Sequence, residues 1–392
     1  MKSVSGKTNE KRSLKLIMKT KLCQLLIMLA LVVAVHPALA QPTLSVASAG
    51  NQVVLFWPTS TTNYVLQSTT NLLPAVWSNL SLAQVIVNEQ NRVTNPISGT
   101  QQFYRLSQLA VPLFTSDGMA LIPAGAFIMG DTVDGENDAI PTNIYVSAFY
   151  MDTNLVSYSQ WESVYSYAIT NGYGFDNAGS NKAANYPVYG VNWFDVVKWS
   201  NARSQQAGLT PVYYTNPNLT QVYSNGDSSP YVNWSASGYR LPTEAEWEKA
   251  ARGGLNGQRF PWGDTISTSQ ASYEGCTSCY SYDFGPNGYN RLFATGGIPY
   301  TSPVGYFAPN GYGLYDMAGN LSDWCWDWFA QPYGQPTTNN PTGPPSGTQR
   351  VLRGGDWNNF AYVARCAERV SINPVMISYY AELVGFRCAR GF

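Results

Sequence analysis

The chain has 392 residues, 44% hydrophobic and only 12% charged, which supplies a sizeable core for about two or three domains and excludes a disordered, collagen-like or small disulfide-scaffold protein. Its formal net charge is −1, and it contains a single histidine, His36. The 12 Trp, 27 Tyr and 15 Phe, set among 34 Gly and 24 Pro, predict aromatic-filled loops rather than long helical bundles.

At the N-terminus, Lys19 and Lys21 precede an apolar run of 14 residues (22–35), and Ala38-Leu39-Ala40 follows. That order predicts a secretory signal peptide over 1–40, and the run is too short to span a membrane. Its removal takes away His36, seven Lys/Arg and one Glu, leaving 16 basic against 23 acidic residues and a net charge of −7. A chain of that sign offers no field for phosphate backbones, so nucleic acid is not an expected partner. Without histidine, Ser-His-Asp hydrolysis, papain-like Cys-His chemistry and His-ligated metals are excluded. The expected location is secreted, periplasmic or extracellular, with no membrane span in the mature chain; nothing in the sequence sets an oligomeric state.

Residues 41–110 read as short strands separated by Ser, Thr and Asn clusters. Val53, Leu55 and Trp57 alternate with Val54 and Phe56, and further runs cover 63–67, 83–88 and 102–106. They predict a small all-β sandwich, weakly similar to fibronectin type III-like modules, with a spacer or adhesion role. Residues 111–392 form the second predicted domain, α+β, with a few capped helices. Ser157 and Gln160 make a capping box ahead of Trp161, Val164, Tyr165 and Ala168 at helical spacing, and Asn171-Gly172 stops that helix. Asn192 caps a second helix with Trp193, Val196 and Val197 on one side. Thr243 and Glu246 cap a third reciprocally, which Arg252 and Gly253-Gly254 close. Strands are expected over 351–353 and 385–389.

Several ordered motifs carry a family likeness: MALIPAGAFIMG (119–130), RLPTEAEWEKAARGG (240–254), FPWGD (260–264), NGYGLYDMAGNLSDW (310–324), RGGDW (353–357) and GFRCAR (385–390). The region from 119 to 392 resembles the formylglycine-generating enzyme, or sulfatase-modifying factor, family. The resemblance implies a C-type-lectin-like fold with low regular structure and structural calcium. In active members it also implies an oxidase that converts a sulfatase cysteine to formylglycine.

That oxidase, as the resemblance implies it, holds copper(I) between two cysteine thiolates that follow the Arg-Gly-Gly-Ser-Trp motif, soft ligands that select this ion. Here Asn358, Asn359, Phe360, Ala361, Tyr362, Val363, Ala364 and Arg365 follow Trp357, and the motif serine is Asp356. Neither cysteine is present, so no catalytic residue is assigned and copper is not expected. Cys276 and Cys279 form a C-x-x-C, read as a local disulfide over a redox pair or a soft-metal clip. Cys366 and Cys388 match family cysteines whose partner positions are Ser200 and Ala251; mutual pairing and buried thiols both stay open. Cys325 is expected to be a buried odd thiol.

Calcium is the expected cofactor. Carried over by position, the family ligands fall on the Asp316 and Asp323 side chains and the Gly319 and Leu321 carbonyls, a hard-oxygen set in a tight turn. A second family site is weakened because its asparagine position is Ser272. Arg240, Arg353 and Arg387 are expected to clamp loops internally. Glu244, Glu246 and Glu248 make a poor glycosidase pair, because two of them serve the helix start.

Two functions follow. The first is a secreted, calcium-braced binding or accessory protein that takes a peptide or glycan in a groove rimmed by Asp356, Trp357, Asn358, Asn359 and Phe360, with Tyr362 beside it. The alternative is a formylglycine-generating oxidase working through a rearranged cysteine pair.

Overall fold

The computed structural model describes residues 43–392 except 59–63, 73–76, 81–83, 89, 98–100, 109–113, 134, 136–138, 332–337 and 376–380. The predicted signal peptide, with His36, lies outside the described residues, as do Asn63 and Ala83, where two predicted strands begin.

The N-terminal strands are β1 (Ser45–Ala49), β2 (Gln52–Pro58), β3 (Tyr64–Thr69), β4 (Ser78–Asn79), β5 (Gln84–Val87), β6 (Gln90–Pro96) and β7 (Phe103–Gln108). They pair antiparallel in two sheets, β1-β2-β6-β5 and β4-β3-β7. The period-two pattern of β2 turns Leu55 and Trp57 inward, where they pack with Leu66 and Val93.

The larger region opens with β8 (Met119–Ile122), a hairpin of β9 (Gly125–Met129) and β10 (Thr142–Val146), and β11 (Phe149–Asp152). Helix α1 (Tyr158–Thr170) follows, then α2 (Trp193–Gln206), the pair β12 (Tyr213–Tyr214) and β13 (Tyr231–Val232), and α3 (Glu244–Ala251). After about seventy residues of irregular chain come β14 (Ser322–Trp328), β15 (Arg350–Arg353), β16 (Val370–Ile372), β17 (Val384–Gly385) and β18 (Ala389–Arg390). The sheets run β18-β11-β8 and β16-β15-β14-β17. Among the described residues no helix is long and apolar enough to cross a membrane.

The helices start where their caps predict. Thr243 accepts from the Glu246 amide while the Glu246 carboxylate accepts from the Thr243 amide, and Asn192 makes the same reciprocal box with Asp195. Ser157 accepts from the Gln160 amide at 3.3 Å, but no return bond from Gln160 closes a box there. Helix α2 departs from its one-sided pattern, since its side chains are buried all round from Trp193 to Ser204. Its polar residues face partners, not water: Arg203 forks onto Asp152 at 2.6 and 2.9 Å, and Asn201 bonds the backbone of Val212, Tyr213 and Tyr223. Trp199 stacks on Trp161 with ring centroids 5.7 Å apart, and Phe386 meets both edge-on. The predicted strand over 385–389 is broken into β17 and β18, because Arg387 between them turns its guanidinium inward to Asp323.

Candidate functional site

Because β14 and β15 run antiparallel with Asp323 opposite Arg353, the turn that enters β14 lies beside the loop that leaves β15. Two backbone bonds stitch them: Gly319 N–H donates to Gly354 O at 2.8 Å, and Trp357 N–H donates to Asn320 O at 3.0 Å. The turn needs left-handed backbone at Asp316 (φ 53°), Gly319 (φ 73°) and Asn320 (φ 68°). Gly319 admits no side chain, since a Cβ there would lie 2.3 Å from Ser272 O.

Within this turn Asp316 Oδ2 accepts from the Gly305 amide at 2.8 Å, while Asp323 Oδ2 accepts from Trp247 Nε1 at 2.8 Å and Arg387 Nε at 2.9 Å. The other oxygen of each, Oδ1, is buried and has no hydrogen-bond partner among the described residues. Burial pushes Asp316 up to about 6 against the pull of the Gly305 amide, Arg387 and the Asn320 side chain, and raises Asp323 as well. Gly319 and Leu321, both buried, belong to the same stretch of chain between the two aspartates. Among the described residues no three His, Cys, Asp or Glu side chains are grouped to hold a metal. A cation here would therefore need carbonyl oxygens besides the two carboxylates.

The loop after β15 does not present all five predicted groove residues. Asp356 and Trp357 are buried; Asn358 and Asn359 are half-buried; Phe360 and Tyr362 are exposed. Asp356 Oδ1 accepts from the Asn358 amide at 2.9 Å and Oδ2 from Ser322 Oγ at 3.4 Å. Burial pushes this carboxyl up to about 7 against the pull of the Asn358 amide and the Ser322 hydroxyl. Trp357 donates through Nε1 to Glu382 O and packs among Tyr289, Tyr300, Leu155 and Leu321. It anchors the loop from beneath and does not rim a groove.

Asn359 Oδ1 caps the Asp356 amide at 3.0 Å, and its carbonyl accepts from Glu274 N–H at 2.9 Å. Tyr289 donates to Asn358 Oδ1, and Tyr280 meets the Tyr362 ring at 5.7 Å. Tyr280, Tyr289 and Glu274 come from the irregular stretch between α3 and β14. Sequence reasoning missed them because that stretch has no periodicity from which a neighbour could be read.

The cysteine positions are equally definite. Cys276 and Cys279 are joined in a disulfide, as expected. Cys325, Cys366 and Cys388 are free and fully buried, and burial holds the latter two thiols up at about 12 and Cys325 well above its ordinary value. Cys366 and Cys388 do not pair with each other; Cys388 Sγ lies 3.6 Å from Ser200 Oγ, and Cys366 packs in the same core cluster as Ala251. Asn359 supplies no thiolate, and the closed or buried sulfurs give a donor set that does not fit a copper(I) ion at this loop.

The arginines are clamps. Arg240 forks onto Glu246 at 2.6 and 2.7 Å. Arg353 bonds Glu248 and the carbonyls of Cys366, Ala367 and Glu368. Arg387 ties Asp323 to the Asp316 carbonyl. Glu244 is held by Arg369 at 2.6 Å and Glu248 by Arg252 at 2.8 Å, so none of the three helix glutamates is free for acid-base work.

This low-regularity α+β scaffold is shared with solved structures. Treponema denticola variable protein 1 superposes with a TM-score of 0.53 and 27% identity over 69% of this chain and 94% of its own. Residues 107–392 match the family model described as "Sulfatase-modifying factor enzyme 1-like domain". The Bos taurus formylglycine-generating enzyme is 32% identical over 290 residues, 69% of this chain and 74% of that protein. The chaperone protein LppX of Paenibacillus barcinonensis is 29% identical over 277 residues, 67% and 83% of the two chains. The fold is the α+β, C-type-lectin-like one of formylglycine-generating enzymes. The chain belongs to the formylglycine-generating enzyme, or sulfatase-modifying factor, family.

Proposed function

We propose that this family member is a secreted binding or accessory protein, braced by calcium, that presents its 358–362 loop to a peptide segment of a partner and lacks the copper oxidase centre. The observation that carries the reading is the identity and placement of Asn359: where the resemblance puts a thiolate, an amide caps its own loop. Fixing the loop this way leaves Phe360 and Tyr362 exposed on a rigid base, and aromatic side chains held so give contact area at little entropic cost. The family relative named a chaperone fits an accessory role. Secretion rests on the leader-like segment over 1–40.

Calcium binding is supported by the buried, unbonded Oδ1 atoms of Asp316 and Asp323, which a hard cation would satisfy while relieving the raised carboxyls. Arg387 already neutralises part of this charge, so the ion's role is to brace the turn.

The test is a fluorescence-anisotropy titration of the mature chain with labelled peptides, with and without a cysteine, in calcium and in EDTA, beside a glycan panel and an oxygen electrode. Saturable peptide binding without oxygen uptake is expected, weakened by Phe360→Ala and by EDTA. EDTA is also expected to lower Tm by about 5 °C, since a ligand at a hundred times its Kd adds about 2.7 kcal/mol to the folded state. Peptide turnover, binding of glycans alone, or no binding at all contradicts the reading.

A further inference from the structure

A cavity of about 390 Å³ opens at the start of α3, lined among others by Val146, Phe149, Trp234, Arg240, Thr243 and Glu246. It shares no residue with the 358–362 loop or the Asp316 turn. Its wall is fixed, because Asn340 Oδ1 accepts from Ser147 N–H at 2.7 Å and Asn340 N–H donates to Tyr145 O at 2.8 Å, which locks the 340–342 segment against the β10–β11 turn. Pre-set walls lower the ordering cost of binding.

The lining is unlike a packing fault. Arg240, Thr243 and Glu246 are each more than nine-tenths buried, yet they border open space. The guanidinium and carboxylate cancel each other at 2.6 and 2.7 Å, so the surface there is polar without net charge. Of the five N–H groups of an arginine, those of Arg240 that are engaged reach only Leu241 O and Glu246. The rest of its donor capacity has no acceptor among the described residues.

Above this polar surface stands Trp234, 43% exposed in a chain that buries Trp161, Trp193, Trp199, Trp247 and Trp324 completely. The ring is not loose: it meets Trp326 at right angles at 5.8 Å, and the Arg240 guanidinium lies over one of its faces at 5.3 Å, so a ligand would stack on the other face.

An apolar face next to a neutral hydrogen-bonding floor selects a ligand with the same two sides. A charged ligand would lose hydration there and find no uncompensated counter-charge. A purely apolar one would displace water from the Arg240 donors that no protein acceptor takes up and give nothing in return. The geometry points to a second ligand site, a pocket for a neutral saccharide that stacks one ring face on Trp234 and hydrogen-bonds toward Arg240 and Glu246. A volume near the lower end of small-ligand pockets, about 300–1,000 Å³, suits one or two sugar rings.

The experiment is calorimetric titration of the full mature chain with methyl glucoside, methyl galactoside, N-acetylglucosamine, cellobiose and, as the charged comparison, glucuronate. At least one neutral sugar is expected to bind, about tenfold more weakly to Trp234→Ala and with little change to Trp234→Phe. Phe360→Ala is expected to leave it unchanged, which separates this site from the peptide loop. Trp234 is exposed, and an unaltered melting curve of Trp234→Ala checks that the variant folds. Failure of every neutral sugar to bind, binding insensitive to Trp234→Ala, or glucuronate binding as tightly as its neutral counterpart overturns the inference.

Discussion

Asp356 accepts two hydrogen bonds and, among the described residues, pairs with no guanidinium, whereas Asp152, Glu244, Glu246 and Glu248 are each paired with arginine. Its carboxyl is raised from 3.8 to about 7 in the folded chain, so it holds its proton more tightly there than when unfolded. The sign follows: its contribution favours the fold fully below pH 3.8 and is lost as pH rises to about 7. Asp356→Asn, which keeps an acceptor without the charge, is expected to stabilise the protein at pH 8 on the order of 2 kcal/mol and to do nothing at pH 4, read from urea unfolding at both values. Equal effects at the two values would mean the carboxyl is not perturbed. The inward arginines were legible from residue type alone, because a guanidinium fork in an otherwise apolar motif needs carbonyls or carboxylates. The burial of Trp357 was not: its neighbours Tyr289 and Tyr300 lie more than fifty residues away in irregular chain.

At the scale of elements, helix starts were the most readable feature, since a cap is a local exchange of two hydrogen bonds. The Thr243 box is complete and buried, while Ser157 makes a single capping bond, to the Gln160 amide, beside a contact with Ser159 Oγ. Thr243→Ala is accordingly expected to cost about 1–2 kcal/mol and Ser157→Ala about 0.5 kcal/mol, compared by thermal unfolding. Comparable losses would show that burial of α3, not its cap, sets the difference. The all-round burial of α2 escaped the sequence because Asp195, Asn201 and Arg203 look like a solvated face until Asp152, Asp176 and Tyr213 are brought against them. The short strands were placed better than their ends, and the strand over 385–389 failed where one side chain, Arg387, was needed elsewhere.

For the molecule as a whole, ion pairs and carbonyl clamps take over work that longer helices and sheets do elsewhere. Arg353 and Arg252 meet at Glu248, Arg369 and Arg353 at Glu244, and Arg387 at Asp323, joining α3 to the loops around β14 and β15. Motif order made this fold readable, and Asn359 and Ala364 at the two positions where the resemblance expects cysteines were readable too. The surface that remains, Phe360 and Tyr362 on an amide-capped loop, needed the structure, because Glu274 and Tyr280 that support it carry no local signal. The proposed role has this scaffold bind a peptide without a copper centre. Its most direct measurement is an anaerobic copper(I) titration of the folded mature chain against a competing chelator, followed by mass spectrometry of a cysteine peptide after exposure to oxygen. No stoichiometric high-affinity copper and an unmodified peptide are expected; one tightly held cuprous ion per chain, with an aldehyde on the peptide, would overturn the proposed role.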